Sequence, residues 1–273
     1  MAKNKVYYKI TNEKENHHGF QYRNGLNVLQ GKFNDNPNHC GAGGFYFTDI
    51  EHIFDYVYLG IYVREVTLPV NNPNFRMIKD KDKYRANMII LGKKYELAKV
   101  ETIKMLIEKG AIMNNDYMVM YSAKYGHSEV LKYLIESGAN IHVYDDALYK
   151  SAKYGHLAVV KCLIEAGVDI HIYNDQALHL SAKYGHLDLV KYLLESNANI
   201  HAMNDLALKW AVYYGHLDVV KYLVVVGADV FAVINNNTIF TYCTNMYNSK
   251  RPYREIINYL LDFGDEILGR KKL

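Results

Sequence analysis

The chain is poor in the features that mark several specialised classes of protein. Its 273 residues hold three cysteines, which are far apart and odd in number, so a disulfide framework is not predicted and a reducing compartment is expected. The formal net charge of +3 is too small to indicate nucleic-acid binding by itself. No run approaches the roughly 20 apolar residues of a membrane-spanning helix, and the first residues lack the apolar stretch of a signal peptide. We therefore expect a soluble, cytoplasmic protein without a membrane partner.

The composition is that of a folded chain with an uneven charge. Hydrophobic residues make up 50% of it and charged residues only 22%, which argues against disorder. Residues 1–100 carry 15 Lys and Arg against 10 Asp and Glu, whereas residues 101–273 carry 17 against 19. The C-terminal part therefore lacks the basic balance of a protein that binds duplex nucleic acid.

A short phrase recurs four times in the C-terminal part. Each copy ends in a Gly-His pair, and the pairs, which are 29, 30 and 30 residues apart, are Gly126-His127, Gly155-His156, Gly185-His186 and Gly215-His216. Self-similarity at a fixed period of about 20–50 residues is typical of stacked repeat proteins. Such proteins present open binding surfaces rather than closed active sites.

Residues 174–203 show how one repeat is built. Asp175 is the predicted N-cap of a first helix, because its carboxylate can accept from unpaired N–H groups of the first turn. Gly185 is expected to end that helix, since glycine tolerates the left-handed conformation. A second helix follows over residues 187–194 and is apolar over much of its circumference. A helix of that kind must be covered by a neighbour, which explains why the unit recurs.

This pattern resembles the ankyrin repeat family. The matching residues of this repeat are Asp175-Gln176-Ala177-Leu178, Ser181-Ala182, Gly185-His186-Leu187, Val190, Leu193-Leu194 and Ala198-Asn199-Ile200. The family period is about 33 residues, and the shortfall here lies between His201 and Asp205, where the family has a β-hairpin finger. We therefore expect trimmed fingers. The period and style also resemble ankyrin proteins of giant DNA viruses of amoebae.

The resemblance covers roughly residues 95–265 and implies a mainly α fold. The predicted architecture is an ankyrin-type α-solenoid of about four clear repeats with degraded end caps, over residues 95–273. A second helix is expected over residues 101–110, with a degraded first partner near residues 95–99. Another helix is expected near residues 254–264.

Residues 1–94 do not repeat and are predicted to form a small α+β domain. Runs that favour strands occur at residues 6–10, 44–47, 61–68 and 88–91, and residues 49–56 favour a helix with Asp49 as its N-cap. Several motifs here look like an uncharacterised domain found before repeat arrays in the same viral proteins. Others are similar to pieces of ADP-ribosyltransferases, a family in which His18, Tyr46 and Glu65 would be the active trio. Only five residues separate Gly19 from Gly25, where that family has room for a helix, so no catalytic residue and no cofactor is assigned.

The residues before each Gly-His pair are the candidate partner-binding site. In ankyrin folds these positions lie near the groove, and stacked in register they would form a ladder of rings and ammonium groups. We call this set the Lys–Tyr ladder: Lys124, Tyr125, Lys153, Tyr154, Lys183, Tyr184, Tyr213 and Tyr214. Tyrosine is favoured at protein interfaces because it is large, amphipathic and loses little entropy when it is ordered. An acidic or phosphorylated segment would suit this surface, although the ladder could equally pack only on itself.

The histidines are predicted to be structural rather than metal ligands. Equivalent positions of packed helices lie about 8–10 Å apart, so one ion cannot bridge His127, His156, His186 and His216. We expect their imidazoles to bond unpaired backbone groups at the helix junctions, and protonation below pH about 6.5 to loosen the array. His17, His18, His39 and Cys40 have no recognised zinc spacing, and no metal site is assigned. The loop residues His142, His171 and His201 are expected to be exposed, and Lys132, Lys161, Lys191 and Lys221 to form a solvated stripe.

The function predicted from these observations is non-catalytic protein binding through the concave groove. By the resemblance, the chain would be a viral protein that acts in the host-cell cytoplasm on a host or viral protein. Two alternatives stay open: an N-terminal ADP-ribosyltransferase-like enzyme, and single-stranded nucleic-acid binding by the Lys–Tyr ladder, since basic and aromatic surfaces do this. The balance of charge in the C-terminal part argues against the second.

Overall fold

A computed structural model describes residues 5–36, 43–139, 144–234, 241, 243–245 and 251–267. The chain divides into two compact units, one of residues 1–122 and 129–139 and one of residues 123–128 and 140–273. The boundary that the sequence suggests between residues 94 and 95 stays a prediction. No helix within the described residues has the length and apolar character needed to cross a bilayer.

The first unit is built on an antiparallel sheet. Its strands, together with a separate two-stranded ribbon of β2 and β3, are β1 (Tyr7–Thr11), β2 (Asn16–His17), β3 (Phe20–Gln21), β4 (Gly25–Val28), β5 (Phe45–Thr48), β6 (Tyr62–Thr67), β7 (Met77–Asp80), β8 (Lys83–Ala86) and β9 (Met88–Glu96). The order in the main sheet is β4-β9-β6-β1-β5-β8-β7. All five residues of the central strand β1 are buried, so both faces of the sheet are covered at its middle.

One face of this sheet carries an aromatic core. Its members alternate along the strands with residues of the other face, as the period of two requires, and include Tyr7, Phe45, Phe47, Val66, Tyr84 and Ile89. The opposite face packs on a 3₁₀ helix, Ile50–Leu59, through its buried residues Ile53, Phe54 and Val57. The helix predicted over residues 49–56 is thus present in a tighter form. Asp49 precedes it but does not cap it, because its carboxylate accepts from the Tyr84 hydroxyl.

Helices follow the sheet along the chain. Their bounds are α1 (Val100–Glu108), α2 (Asn115–Tyr125), α3 (Ser128–Glu136), α4 (Tyr144–Tyr154), α5 (Leu157–Glu165), α6 (Ile172–Lys183), α7 (Leu187–Glu195), α8 (Ala202–Tyr214), α9 (Leu217–Val225), α10 (Val230–Ile234) and α11 (Arg251–Ile267). In the second unit α4 packs on α6 and α6 on α8, so the first helices of successive repeats lie side by side. The second helices bury the apolar residues expected of them, such as Leu189, Val190 and Leu193 in α7.

Helical repeats preceded by antiparallel strands confirm the predicted fold class. The four predicted strands are present as β1, β5, β6 and β9. The degraded first helix expected near residues 95–99 was wrong, since β9 runs to Glu96 and α1 begins at Val100. The sequence Tyr-Glu-Leu-Ala-Lys at this point is compatible with a helix, but Tyr95 and Glu96 pair with β6, and this pairing decides for a strand.

A left-handed turn stands where the family has its hairpin finger. Residues 203–205 all have φ between 50° and 58°, and residues 173–175 repeat this conformation. Asp175 is therefore not the N-cap that the sequence suggests, because N-cap residues adopt extended backbone angles. Its buried Oδ1 instead accepts from the Asn199 backbone N–H at 2.9 Å and bonds His171 Nδ1 at 3.0 Å. The carboxylate thus ties the start of α6 to the loop that follows α7.

Candidate functional site

The Lys–Tyr ladder lies at the C-terminal ends of α4, α6 and α8 and at the end of α2. Lys153 Nζ lies 5.7 Å from the ring centroid of Tyr154 and 5.9 Å from that of Tyr184. Lys183 Nζ lies 5.6 Å from the ring of Tyr184 and 5.0 Å from that of Tyr214. Each of these ammonium groups is therefore within cation–π distance of a ring of its own repeat and one of the next.

The first step of the ladder is simpler. Lys124 Nζ lies 4.7 Å from the ring of Tyr125, on its own repeat. At the other end, Tyr213 replaces lysine and packs edge-on against Tyr214 with the centroids 5.1 Å apart. The structure thus brings the predicted residues into register, while their role in binding stays a prediction.

Trp210 belongs beside the ladder, although sequence reasoning did not assign it. Its ring centroid lies 4.5 Å from Lys183 Nζ, and its ring meets His179 edge-on at 6.5 Å. The equivalent residue one period earlier is Leu180, which is buried in the core. The position varies, since one period before Leu180 it holds Lys150. The signal that could have identified Trp210 was the presence of the chain's one tryptophan three residues before Tyr213.

The ladder rings remain available to a partner. Tyr154, Tyr184 and Tyr214 are 46%, 40% and 44% exposed. Lys153 and Lys183 are half-buried, since the rings cover their stems and heads. The ladder thus packs on itself and also keeps large aromatic surfaces in solvent.

The histidines hold the ladder lysines in place. Nε2 of His156, His186 and His216 lies 3.0, 3.0 and 2.8 Å from the backbone oxygens of Lys124, Lys153 and Lys183. A helix leaves its last carbonyl groups without intrahelical donors, and each imidazole of the following repeat supplies one. The predicted structural role of these histidines is confirmed.

The glycine of the first three Gly-His pairs has two reasons to be glycine. Gly155 has φ +75°, a conformation that other residues adopt at a cost. A Cβ built on Gly155 would also lie 2.6 Å from Nδ1 of His186. Gly126 and Gly185 meet the next histidine in the same way, at 2.7 and 2.5 Å. The motif is therefore an interlock between repeats.

The sequence predicts that the lysines of the second helices form a solvated stripe. In the structure, three of them also contact tyrosine rings. Lys161 and Lys221 are exposed, but each Nζ lies over a tyrosine ring further along the chain. The distances are 5.1 Å for Lys161 to Tyr192, 5.7 Å for Lys191 to Tyr222 and 5.8 Å for Lys221 to Tyr259. The residue equivalent to Tyr192 that would lie under Lys132 is Cys162, so Lys132 has no tyrosine ring at that position. His171 and His201 are exposed as expected, and His142 lies outside the described residues.

The structure does not bring the ADP-ribosyltransferase-like trio together. His18 and Tyr46 line one cavity in the first unit, and Glu65 is not among its lining residues. Oε1 of Glu65 accepts from the Tyr95 hydroxyl at 2.9 Å and from Lys109 Nζ at 3.1 Å. Burial alone would raise the pKa of Glu65, but these hydrogen bonds outweigh it and lower the pKa. These contacts explain Glu65 as a structural residue that joins β6 to Tyr95 and Lys109.

Among the described residues, one group brings metal-ligand atoms together. Ligand atoms of His52, Asp55 and Asp82 lie within 4.8 Å of one another. They already have protein partners, since His52 Nδ1 bonds Asp55 Oδ2 at 3.3 Å and the Tyr56 hydroxyl donates to Asp82 at 2.8 Å. The zinc candidates His39 and Cys40 lie outside the described residues.

Comparisons with known proteins identify the helical repeats. A family model described as ankyrin repeats (3 copies) matches residues 119–204 and 148–234. The chain is 48% identical over 141 residues to ankyrin repeat protein R868 of Acanthamoeba polyphaga mimivirus. The aligned residues make up 50% of this chain and 70% of that protein. It is 41% identical over 143 residues to ankyrin repeat protein R896 of the same virus, over 51% of this chain and 43% of that protein.

A third relative has no functional description. Uncharacterized protein R869 of the same virus is 52% identical over 108 residues, which is 39% of this chain and 78% of that protein. None of these three descriptions indicates an enzyme.

Proposed function

This chain belongs to the ankyrin repeat proteins, and we propose that it binds an acidic or phosphorylated segment of a partner protein along the Lys–Tyr ladder. The repeats themselves indicate a protein-interaction module. The relatives are viral proteins, so the proposed partner is a host or viral protein in the host-cell cytoplasm. The free thiols Cys162 and Cys243 are consistent with that reducing compartment.

The observation that carries this proposal is the preordered arrangement of rings and ammonium groups. Lys153 and Lys183 are held at their backbone oxygens by His186 and His216. Their ammonium groups are held by rings on both sides. A partner therefore loses less free energy to the ordering of these side chains than it would on a surface of mobile lysines.

The spacing of the ladder favours an extended partner segment. Packed helices lie about 8–10 Å apart, and an extended peptide advances about 3.3 Å per residue. One repeat therefore corresponds to about three partner residues. A segment with a carboxylate or phosphate at every third residue would place one anion near each of Lys124, Lys153 and Lys183, with apolar residues between them on the tyrosine rings.

The proposal is tested by comparing two triple variants of the full chain. One replaces Lys124, Lys153 and Lys183 by alanine. The matched control replaces Lys161, Lys191 and Lys221, which removes the same charge from lysines that also lie over tyrosine rings. Both variants are tested on an array of 12-residue peptides with Glu or phosphoserine at every second, third or fourth position, and the best peptide is titrated by calorimetry.

The expected result is binding with a preference for every third position. The ladder variant should lose at least tenfold in affinity, and the control should stay within about twofold. Equal losses in the two variants would show that only net charge matters and would overturn the ladder as the site. Stronger binding of single-stranded oligonucleotides, with a steep salt dependence, would favour the nucleic-acid alternative.

A further inference from the structure

The first unit contains a lysine buried without an opposite charge beside it. Lys9 lies on the central strand β1 and is only 4% exposed. β1 pairs with β5 at Tyr8 and Thr48, and Lys9 Nζ donates to the Tyr46 backbone oxygen of β5 at 2.7 Å. The ammonium also lies 4.8 Å from the ring of Tyr22. Among the described residues, no carboxylate forms an ion pair with Lys9 within 4.0 Å.

Lys9 is one of the residues that line a cavity of about 230 Å³. Its walls are largely aromatic, and the rings that line it are those of Tyr8, Tyr46, Phe47, Tyr56 and Tyr58. The charged or chargeable groups that line it besides Lys9 are Lys83, His17 and His18, and none of its lining residues is a carboxylate. This volume is below the roughly 300–1,000 Å³ of pockets for drug-sized ligands, so a smaller molecule is indicated.

Three acidic groups of the first unit have partners other than Lys9. Asp82 accepts from the Tyr56 hydroxyl at 2.8 Å, and Asp80 pairs with Lys83 at 3.7 Å. Glu15 pairs with Arg64 at 3.1 Å. Lys9 is thus left with a carbonyl oxygen and a ring as its partners, which is a costly state for a buried cation.

The electrostatics of the cavity agree with this geometry. Burial lowers the pKa of Lys9 to about 7. Burial first, and then the charge of Lys9, lower the pKa of His17 to about 4. Both shifts report a site in which positive charge is poorly compensated, and an anion would relieve them.

We propose that this cavity binds a small aromatic carboxylate, with its carboxylate at the Lys9 ammonium and its ring among the tyrosines. A single buried cation matches one negative charge, as a carboxylate carries. The aromatic lining matches a flat apolar body. The site lies entirely within the first unit and is separate from the Lys–Tyr ladder.

The probes are benzoate and 2-naphthoate, with benzamide as a neutral isostere and inorganic phosphate as a second anion. Binding to the full-length chain is measured by calorimetry and by ligand-observed NMR. The variant is Lys9→Met, which keeps the apolar stem and removes a buried charge, so it is expected to fold. The control is Lys79→Met, which removes an exposed charge of the same sheet outside the cavity.

The expected result is that an aromatic carboxylate binds at least tenfold more tightly than benzamide. Lys9→Met should lose this preference, and Lys79→Met should keep it. With lysine labelled at Cε, carboxylate binding to the unaltered protein should move the titration of Lys9 to higher pH. Equal binding of carboxylate and amide, tighter binding of phosphate, retained preference in Lys9→Met, or no binding of either carboxylate would each overturn the proposal.

Discussion

Replacement of Gly155 by alanine tests the interlock between repeats most directly. The new Cβ would lie 2.6, 2.7 and 2.9 Å from Nδ1, Cε1 and Cγ of His186. These atoms belong to a rigid ring whose Nε2 is bonded to the Lys153 carbonyl at 3.0 Å. The ring must therefore move, and its hydrogen bond must lengthen or break.

The cost has two parts. A left-handed backbone costs a residue with Cβ about 1–2 kcal/mol, and loss of the imidazole bond leaves polar groups unpaired at about 1–3 kcal/mol. We expect Gly155→Ala to lower the free energy of unfolding by about 2–5 kcal/mol. Gly215 offers a matched control, because its φ is +80° but a Cβ there would meet only Tyr253 and Pro252 at ordinary contact distances of 3.6 and 3.8 Å. Gly215→Ala should therefore cost only the backbone part.

Urea unfolding followed by far-ultraviolet circular dichroism measures both variants. The double variant Gly155→Ala with His186→Ala adds a second check, since a small residue at 186 leaves room for the new methyl group. The double variant should cost less than the sum of the single ones. The interlock would be refuted if Gly155→Ala and Gly215→Ala lost the same free energy of unfolding and the effects of Gly155→Ala and His186→Ala were additive.

Buried polar groups lead to three further expectations. Lys9→Met should raise the free energy of unfolding at pH 7 by about 2–4 kcal/mol, since a pKa lowered from 10.5 to about 7 corresponds to about 5 kcal/mol and the carbonyl left without a donor costs about 1–3. The gain should fade as pH rises toward 10.5, and a loss in urea denaturation at pH 7 would contradict it. Asp205→Ala should cost about 2–4 kcal/mol, because the buried carboxylate accepts two hydrogen bonds; an unchanged midpoint in guanidinium would show that these bonds contribute little. Burial lowers the pKa of His127 and His179, so the unfolded chain takes up these protons first and thermal stability should fall below pH about 6.5; a melting temperature that is flat from pH 8 to 5 would count against this.

The helical repeats could be predicted because their signals are local and repeated. A glycine that follows a helical run is a local signal for the end of the helix, and a nine-residue apolar helix needs cover in any context. Four copies of the same phrase also placed the Lys–Tyr ladder in register before any distance was known. Asp175 was predicted to be an N-cap, and its actual bond to the loop after α7 was not predictable, because it depends on a backbone conformation that only the shortened turn imposes.

The N-terminal unit was less predictable because its strands are short and pair over long separations. β7 and β8 each have two charged residues among four, and their strand character comes from pairing with each other and with β5. Trp210 was missed for a related reason, since its neighbour Lys183 is 27 residues earlier in the chain. Contacts of this kind have no local signature.

Periodicity alone determined that the C-terminal part of this chain is an array of helical pairs, and which residues of each pair share a position, since copies of one unit fold alike. Tertiary structure alone decided which groups meet. The imidazole of one repeat reaches the carbonyl of the repeat before it, and Lys9 comes to line an aromatic cavity that has no carboxylate among its lining residues. Both arrangements depend on how strands and helices distant in the chain are packed, and that packing sets the distance and dielectric on which each interaction depends.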